Sequence, residues 1–315
     1  MTTPDAPQAF QRGQDYLALP RDPQPWIIEK LLPLGGLTNL YGTPKAGKSF
    51  AALGIAHAVA DPMCEEWLGF KVRKHGRVAY LQVDTPRSEW GRRLDQIVRN
   101  GYDLSDVYFA DKIIAPYPFN ILEPSHGDWL HKQIAAVDPM LVIVDTLREV
   151  HGGDENDSTV MRNVIANLVK ACGEHRAILL VSHSRKGLAG ATRNLGEGDD
   201  SNDLMNDNRG SGYVPGRMDS VVKLTPRTLT FKGRATDQGS LRVQQAHATG
   251  LLERPNEDSK VDQTLLKMFK DRTPEDTVNS LATRAVEELG KGTIGHSTVR
   301  KRFTEMFRQA LPEAA

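Results

Sequence analysis

Residues 42–49 have the types and spacing of a loop that binds phosphate groups. They spell Gly-Thr-Pro-Lys-Ala-Gly-Lys-Ser, which fits the pattern G-x-x-x-x-G-K-[ST]. Gly42 and Gly47 let the backbone curl, so that successive N–H groups point at a phosphate. Lys48 would neutralise β- and γ-phosphate oxygens, and the Ser49 hydroxyl would bind Mg²⁺. The loop therefore predicts a site for ATP and its magnesium ion.

The context of this loop is the one that the pattern requires, because an apolar run precedes it and an amphipathic segment follows it. The other residues of the predicted nucleotide-binding segment are Thr43, Pro44, Lys45, Ala46 and Phe50. Lys45 either reaches a phosphate or lies in solvent, as most lysines do.

Hydrolysis needs more than a phosphate loop, namely a carboxylate near the metal and a group that orients the attacking water. Asp145 follows an apolar run, and at the carboxyl edge of a parallel sheet it would share Mg²⁺ with Ser49. Asp84 follows a similar run and is the candidate for orienting the water, unless Asp145 acts alone. His183, at the tip of a third run, could contact the γ-phosphate and report its loss.

These residues need a sheet that brings them to one edge, and the hydrophobic pattern predicts such a sheet. Four short apolar runs have the character of buried parallel strands, at 37–41, 77–83, 140–144 and 177–182. Four segments with apolar residues at three- and four-residue spacing predict helices, at 49–60, 88–99, 125–136 and 158–172. Several of these segments have a serine near the predicted N-cap. The alternation predicts an α/β fold with a mostly parallel central sheet and helices on both faces.

The remaining sequence divides into an arm, the end of the sheet and a small domain. Residues 1–24 are rich in Pro, Gln and Asp and predict a flexible arm, which places the ATPase domain at 25–250. The polar stretch 187–208 is too long for an ordinary connection and predicts a functional or disordered loop. Alternating segments at 220–224, 228–232 and 241–245 predict an antiparallel edge that finishes the sheet.

Residues 258–315 predict a small helical domain after a charged break. Segments 279–289 and 297–307 are joined by a glycine-containing turn, which is the spacing of a helix-turn-helix. Arg300, Lys301 and Arg302 lie on the second helix and could contact duplex DNA. Alternatively, these helices pack as a bundle on the ATPase domain or on a neighbouring subunit.

Composition limits the classes of function. The 315 residues include 40 Lys and Arg and 40 Asp and Glu, so no net charge draws the whole molecule to nucleic acid or to an anionic membrane. Cys64 and Cys172 fit no metal-ligand spacing, which indicates a reducing compartment. Neither a signal-peptide core nor an apolar run of about 18 residues is present, so we expect a soluble cytoplasmic protein.

The motifs occur in an order that resembles the RepA-type hexameric replicative helicases of plasmids, which are relatives of DnaB and RecA. The resemblance covers about residues 25–235. Its motifs lie at 25–28, 32–37, 44–49, 144–148, 154–156, 183–187 and 209–211. It implies a RecA-like P-loop core that hydrolyses ATP.

The same resemblance assigns two further roles. Asp84 stands where the family has a water-activating glutamate, and Arg209 stands where it has the arginine finger that reaches the ATP of the adjacent subunit. Aspartate is one methylene shorter than glutamate, and a misplacement of about 1 Å can cost roughly a hundredfold in rate. This departure predicts slow turnover or a repositioned water.

The resemblance finally implies a six-membered ring of identical subunits around single-stranded DNA, with the loops near 151–158 and 187–208 facing the channel. Arg185, Lys186 and Arg193 would contact the DNA phosphates. The leading hypothesis is an ATP-driven motor on single-stranded DNA, a replicative helicase of a phage, plasmid or other mobile element. The alternatives are a RecA-like recombination or annealing ATPase and an ATP-binding regulator with weak hydrolysis.

Overall fold

In the computed structural model, the chain divides into two compact units, Met1–Glu253 and Arg254–Ala315. The structure describes residues 12–19, 26–184, 213–234, 236–255, 264–265, 267–273, 275–289, 296, 299–300 and 303–304. The site predictions for Arg185, Lys186, Arg193, Arg209, Lys301 and Arg302 therefore lie outside the described residues.

The first unit contains fourteen described strands. They are β1 (Trp26–Ile28), β2 (Leu32–Pro33), β3 (Leu37–Gly42), β4 (Glu66–Trp67), β5 (Phe70–Lys71), β6 (Val78–Gln82), β7 (Val107–Asp111), β8 (Leu141–Asp145), β9 (Ala177–His183), β10 (Ser220–Leu224), β11 (Thr228–Gly233), β12 (Thr236–Arg242), β13 (Gln244–Gln245) and β14 (Leu252–Glu253). Eight of them form one sheet in the order β12-β11-β10-β3-β9-β8-β6-β7.

The described helices lie mainly between these strands. They are α1 (Gly13–Leu17), α2 (Lys48–Ala60), α3 (Arg87–Arg99), α4 (Pro124–Val137), a 3-10 turn (Leu147–Val150), α5 (Ser158–Cys172), α6 (Tyr213–Arg217) and, in the second unit, α7 (Val278–Leu289). No helix among the described residues is both long enough and apolar enough to cross a bilayer.

The central sheet is mostly parallel, and helices cover both of its faces. From β10 to β7 each neighbouring pair of strands is parallel. The pairs β10–β11 and β11–β12 are antiparallel, so β11 alone runs against the other strands of this sheet. Residues of α2 and α3 join one core cluster, whereas residues of α4, α5 and α6 join the cluster on the opposite face. Alternate side chains of β8 enter each cluster, as the two-residue period of a strand requires. The predicted α/β fold is confirmed.

β10, β11 and β12 form the expected antiparallel edge, and β10 joins it to β3 through a parallel pair. Two details of the sequence prediction are wrong. The predicted strand at 241–245 is divided, because β12 ends at Arg242 and β13 pairs with β14 in a separate two-stranded sheet. β7 was missed, since its position at the sheet edge leaves Tyr108 exposed and gives the strand a weak apolar pattern.

Serine is the first or second residue of α2, α3, α4 and α5 and does not occupy the N-cap itself. The residues at the N-caps of α2, α3, α4 and α5 are Gly47, Pro86, Glu123 and Asp157. Asp157 is the one whose side chain caps its helix, since it accepts hydrogen bonds from the N–H groups of Thr159 and Val160. A carboxylate there also interacts favourably with the helix dipole, which a serine hydroxyl does less strongly.

Candidate functional site

The phosphate-loop sequence lies between β3 and α2, as expected. Lys45 and Gly47 have φ angles of +66° and +93°, so the loop makes the left-handed turns that aim backbone N–H groups inward. A side chain at Gly42 would collide with the carbonyl oxygen of Leu224 on the neighbouring strand β10. Thr43, Pro44 and Lys45 are exposed, whereas Ala46 is buried. The two glycines are therefore required by the backbone path and by strand packing.

The side chain of Lys48 folds back over this loop and is only 7% exposed. Its Nζ donates to the carbonyl oxygens of Gly42 and Thr43, at 3.1 and 3.0 Å, and lies 3.4 Å from His183 Nδ1. Burial lowers the pKa of Lys48, and the nearby charges of Asp145 and Asp84 oppose this shift. The ammonium is thus held at the mouth of the loop, with two carboxylates close enough to favour its charged form.

Asp145 ends β8 and is 1% exposed. Its Oδ2 accepts a hydrogen bond of 2.8 Å from the hydroxyl of Tyr80, whereas Oδ1 has no hydrogen-bond partner among the described residues. Burial raises the pKa of Asp145, while hydrogen bonds from Ser49 and Tyr80 work against that rise. One oxygen is therefore anchored, and the other is buried without a described donor.

Asp84 and His183 lie beside this pair. Asp84 follows the end of β6 and is exposed, and its charge influences both Lys48 and Asp145. His183 ends β9 directly opposite Gly42 in the parallel ladder and is half-buried. The fold thus brings together four of the five residues predicted to be catalytic, and the fifth, Arg209, lies outside the described residues.

Sequence reasoning missed Tyr80. Its ring packs between Trp90 and Phe109, with centroid distances of 5.3 and 5.6 Å, and its hydroxyl reaches the neighbouring strand. Burial, followed by the charge of Asp145, raises the pKa of Tyr80 well above its usual value, so the hydroxyl stays protonated and donates. A tyrosine within an aliphatic strand was the one sign in the sequence that Tyr80 has a special role. That its hydroxyl bonds to Asp145 follows only from the register of β6 against β8.

The residues present fit a magnesium nucleotide. Ser49 and the free oxygen of Asp145 are hard oxygen ligands beside the phosphate loop. Within the described residues, no group of three or more His, Cys, Asp or Glu could hold a metal by itself. Mg²⁺ is commonly held by one or two protein oxygens together with substrate phosphates and water. The site therefore suits a metal that arrives with the nucleotide.

The proposed DNA contacts are only partly described. Arg300 is exposed in a helical segment whose Val299 and Phe303 are buried in the core of the second unit. In the loop at 151–158, His151 is buried while Asp154 and most of the residues after it are exposed. The exposed part of this loop therefore excludes His151.

The fold and the site define a P-loop nucleotide-binding protein with a RecA-like α/β core. A family model described as an AAA domain matches residues 4–189, which is more than half of the chain. The protein therefore belongs to this family of P-loop AAA-type ATPases. No curated protein matches the chain.

Proposed function

We propose that the protein is an ATP-driven motor on single-stranded DNA, and specifically a ring-forming replicative helicase of a phage, plasmid or other mobile element that acts in the cytoplasm. The main support is the meeting of Lys48, Asp145 and His183 at the carboxyl edge of neighbouring strands, with Asp84 close by. The ordered motifs of the RepA-type helicases extend this support beyond the phosphate loop.

In this proposal each side chain has a separate task. The loop N–H groups and Lys48 hold the triphosphate, and Ser49 and Asp145 would hold Mg²⁺, which supplies positive charge to the phosphate oxygens when bound. Asp84 orients the attacking water. His183, whose Nδ1 lies 3.4 Å from Lys48 Nζ, loses its contact with the γ-phosphate when that phosphate leaves. This loss changes the position of the segment after β9.

The ring and its DNA contacts are part of the same proposal. Arg209 would act on the ATP of the neighbouring subunit, as the family resemblance implies. Arg185, Lys186 and Arg193 would contact single-stranded DNA, because they follow β9 closely in sequence and offer cations for phosphates. Arg300, Lys301 and Arg302 would add a contact to duplex DNA or to a protein.

Unwinding of a forked DNA duplex by the full chain tests the motor proposal. We expect ATP- and magnesium-dependent unwinding that the Lys48→Ala variant lacks, and a particle mass six times that of the chain when ATP and Mg²⁺ are present. ATP hydrolysis without unwinding or translocation would overturn the proposal. Filaments on DNA in place of rings would favour a recombination or annealing ATPase.

One observation favours a second candidate, an ATP-binding regulator with weak hydrolysis. Asp84 is exposed, and its side chain is one methylene shorter than the glutamate of the resembling family. We expect Asp84→Glu to raise kcat for ATP hydrolysis about tenfold, because a repositioned carboxylate can recover part of the roughly hundredfold cost of a 1 Å misplacement.

The matched variant Asp84→Asn separates the two candidates. It should lower turnover if Asp84 orients the water, and it should leave turnover at the same background level if the protein is a regulator. Strong stimulation of the unsubstituted protein by single-stranded DNA would contradict the regulator.

A further inference from the structure

The candidate site is asymmetric about β3, the strand that leads into the phosphate loop. His183 and Asp145 end β9 and β8, and Asp84 comes after β6; these three strands all lie on one side of β3. On the other side lie β10, β11 and β12. Since the hydrolytic groups must face the γ-phosphate, the nucleoside end of a bound triphosphate must extend toward the side of β10.

A small hairpin continues from β12, the outermost strand on that other side, and packs directly against the phosphate loop. It consists of β13, β14 and the connecting residues 246–251, and we call it the 244–253 hairpin. A Cβ atom added to Gly47 would lie 2.9 Å from Gln245 Nε2, so the Gln245 side chain rests on the loop backbone. The same Nε2 donates to the carbonyl oxygen of Gly250 at 3.2 Å, and the Gln245 side chain is exposed.

Two further contacts hold this hairpin in place. The ring of Phe50, in the first turn of α2, packs so closely on Gly250 that an added Cβ there would lie 2.7 Å from it. The guanidinium of Arg93 lies 5.4 Å from the centroid of the Phe50 ring. Gln96 on α3 donates to the carbonyl oxygen of Ala248 at the hairpin tip. The hairpin is therefore fixed to both helices beside the loop.

We propose that the 244–253 hairpin is the nucleoside-binding wall of the site and that Gln245 contacts the base or ribose of the bound nucleotide. This inference rests on the proposed nucleotide site and deepens it. A glutamine amide both donates and accepts hydrogen bonds, which suits the edge of a base or the hydroxyls of a ribose. Gln245 has an exposed amide that touches the phosphate loop, while Phe50 and Gln96 contact Gly250 and Ala248 in the connection of the same hairpin.

The test compares ATP with inorganic tripolyphosphate, which has the phosphates and lacks the nucleoside. Affinities of the full chain are measured by calorimetry in the presence of Mg²⁺. Gln245→Ala should weaken ATP binding by about tenfold, the value of one lost hydrogen bond, and should change tripolyphosphate binding less than about twofold. Gln244→Ala is the matched control, because Gln244 is also exposed but donates to Glu253. It should change neither affinity.

A second variant addresses the wall itself. Phe50→Leu keeps apolar bulk but removes the ring that packs on Gly250, so it should also weaken ATP binding more than tripolyphosphate binding. The proposal is overturned if Gln245→Ala weakens both ligands equally or neither of them. Lys48→Ala tests the underlying nucleotide site separately, because it should weaken both ligands, and unchanged tripolyphosphate binding in that variant would count against the proposed function instead.

Discussion

At the scale of single residues, the buried carboxylate of Asp145 costs folding stability. Its carboxylate is 1% exposed, and burial raises its pKa even with Lys48 and two hydrogen-bond donors nearby. A carboxyl group with a raised folded pKa is less stable as an anion in the folded chain than in the unfolded chain. The ionised group therefore costs stability at neutral pH, and this cost decreases as the pH falls through the raised pKa.

We predict that Asp145→Asn stabilises the protein and abolishes ATP hydrolysis. The amide removes the buried charge and still accepts the hydrogen bond from Tyr80, whereas it binds Mg²⁺ poorly. A gain of about 1 kcal/mol would raise the Tm by about 2–4 °C in a domain of this size. Thermal unfolding without nucleotide, measured from pH 8 to pH 5, should show the largest difference at neutral pH. An equal or lower Tm at pH 7.5 would contradict this account.

Tyr80 gives a second prediction at this scale. Its hydroxyl fixes Asp145 Oδ2 at 2.8 Å and so orients the oxygen that lacks a described donor. Loss of such a supporting hydrogen bond typically costs about 10–100-fold in metal affinity. Tyr80→Phe should therefore raise, by about tenfold, the Mg²⁺ concentration that gives half-maximal ATP hydrolysis.

The control for this variant is Tyr108→Phe, because Tyr108 is an exposed tyrosine on the neighbouring strand β7. It should leave the magnesium dependence unchanged. If Tyr80→Phe lowered kcat with no change in magnesium dependence, Tyr80 would have a packing role alone.

At the scale of elements, the beginning of α5 shows which side chain caps a helix. Asp157 accepts hydrogen bonds from the N–H groups of Thr159 and Val160, at 2.7 and 3.2 Å, while Ser158 is the first helical residue. Substitution of a capping aspartate by alanine costs about 0.5–2 kcal/mol. Asp157→Ala should lower the free energy of unfolding of the first unit by about 1 kcal/mol, as measured by urea denaturation. Ser158→Ala should change it by less than half as much, and the reverse order would contradict the assignment.

The sequence predicts the central elements well and the edges poorly. The apolar runs that become β3, β8 and β9 are buried on both faces, so their hydrophobic residues are continuous and easy to detect. β7 and β13 have exposed positions, and nothing in their own residues specifies a partner. For the site, the loop and the acids at strand ends follow local patterns. Tyr80 and Gln245 act through contacts with other elements, which local patterns do not contain.

At the scale of the whole molecule, the two units have separate cores. The core of the second unit contains Leu265, Met268, Phe269, Leu281, Ala282, Ala285, Val299 and Phe303, all from that unit. Such a small core supplies only a few kcal/mol of stability. The integrity of this unit should therefore depend strongly on any one large side chain.

Phe303→Ala should unfold the second unit and leave ATP binding by the first unit intact. Phe303 is fully buried, and truncation of a buried phenylalanine costs about 3–5 kcal/mol, which is comparable to the stability of so small a unit. Calorimetric unfolding of the full chain should lose one transition. Arg300→Ala, an exposed substitution in the same segment, should retain both transitions. Loss of ATP binding in Phe303→Ala would show that the units depend on each other.

The position of β3 has a consequence for the synthesis of the protein. β3 pairs with β9 on one side and with β10 on the other, and Leu37 N donates to Asp219, which is 182 residues further along the chain. A ribosome must therefore release nearly all of the first unit before its central strand has both neighbours. Until then the apolar strand stays exposed, and such distant pairing slows folding. We expect newly made chains to depend on chaperones more than their size alone would suggest.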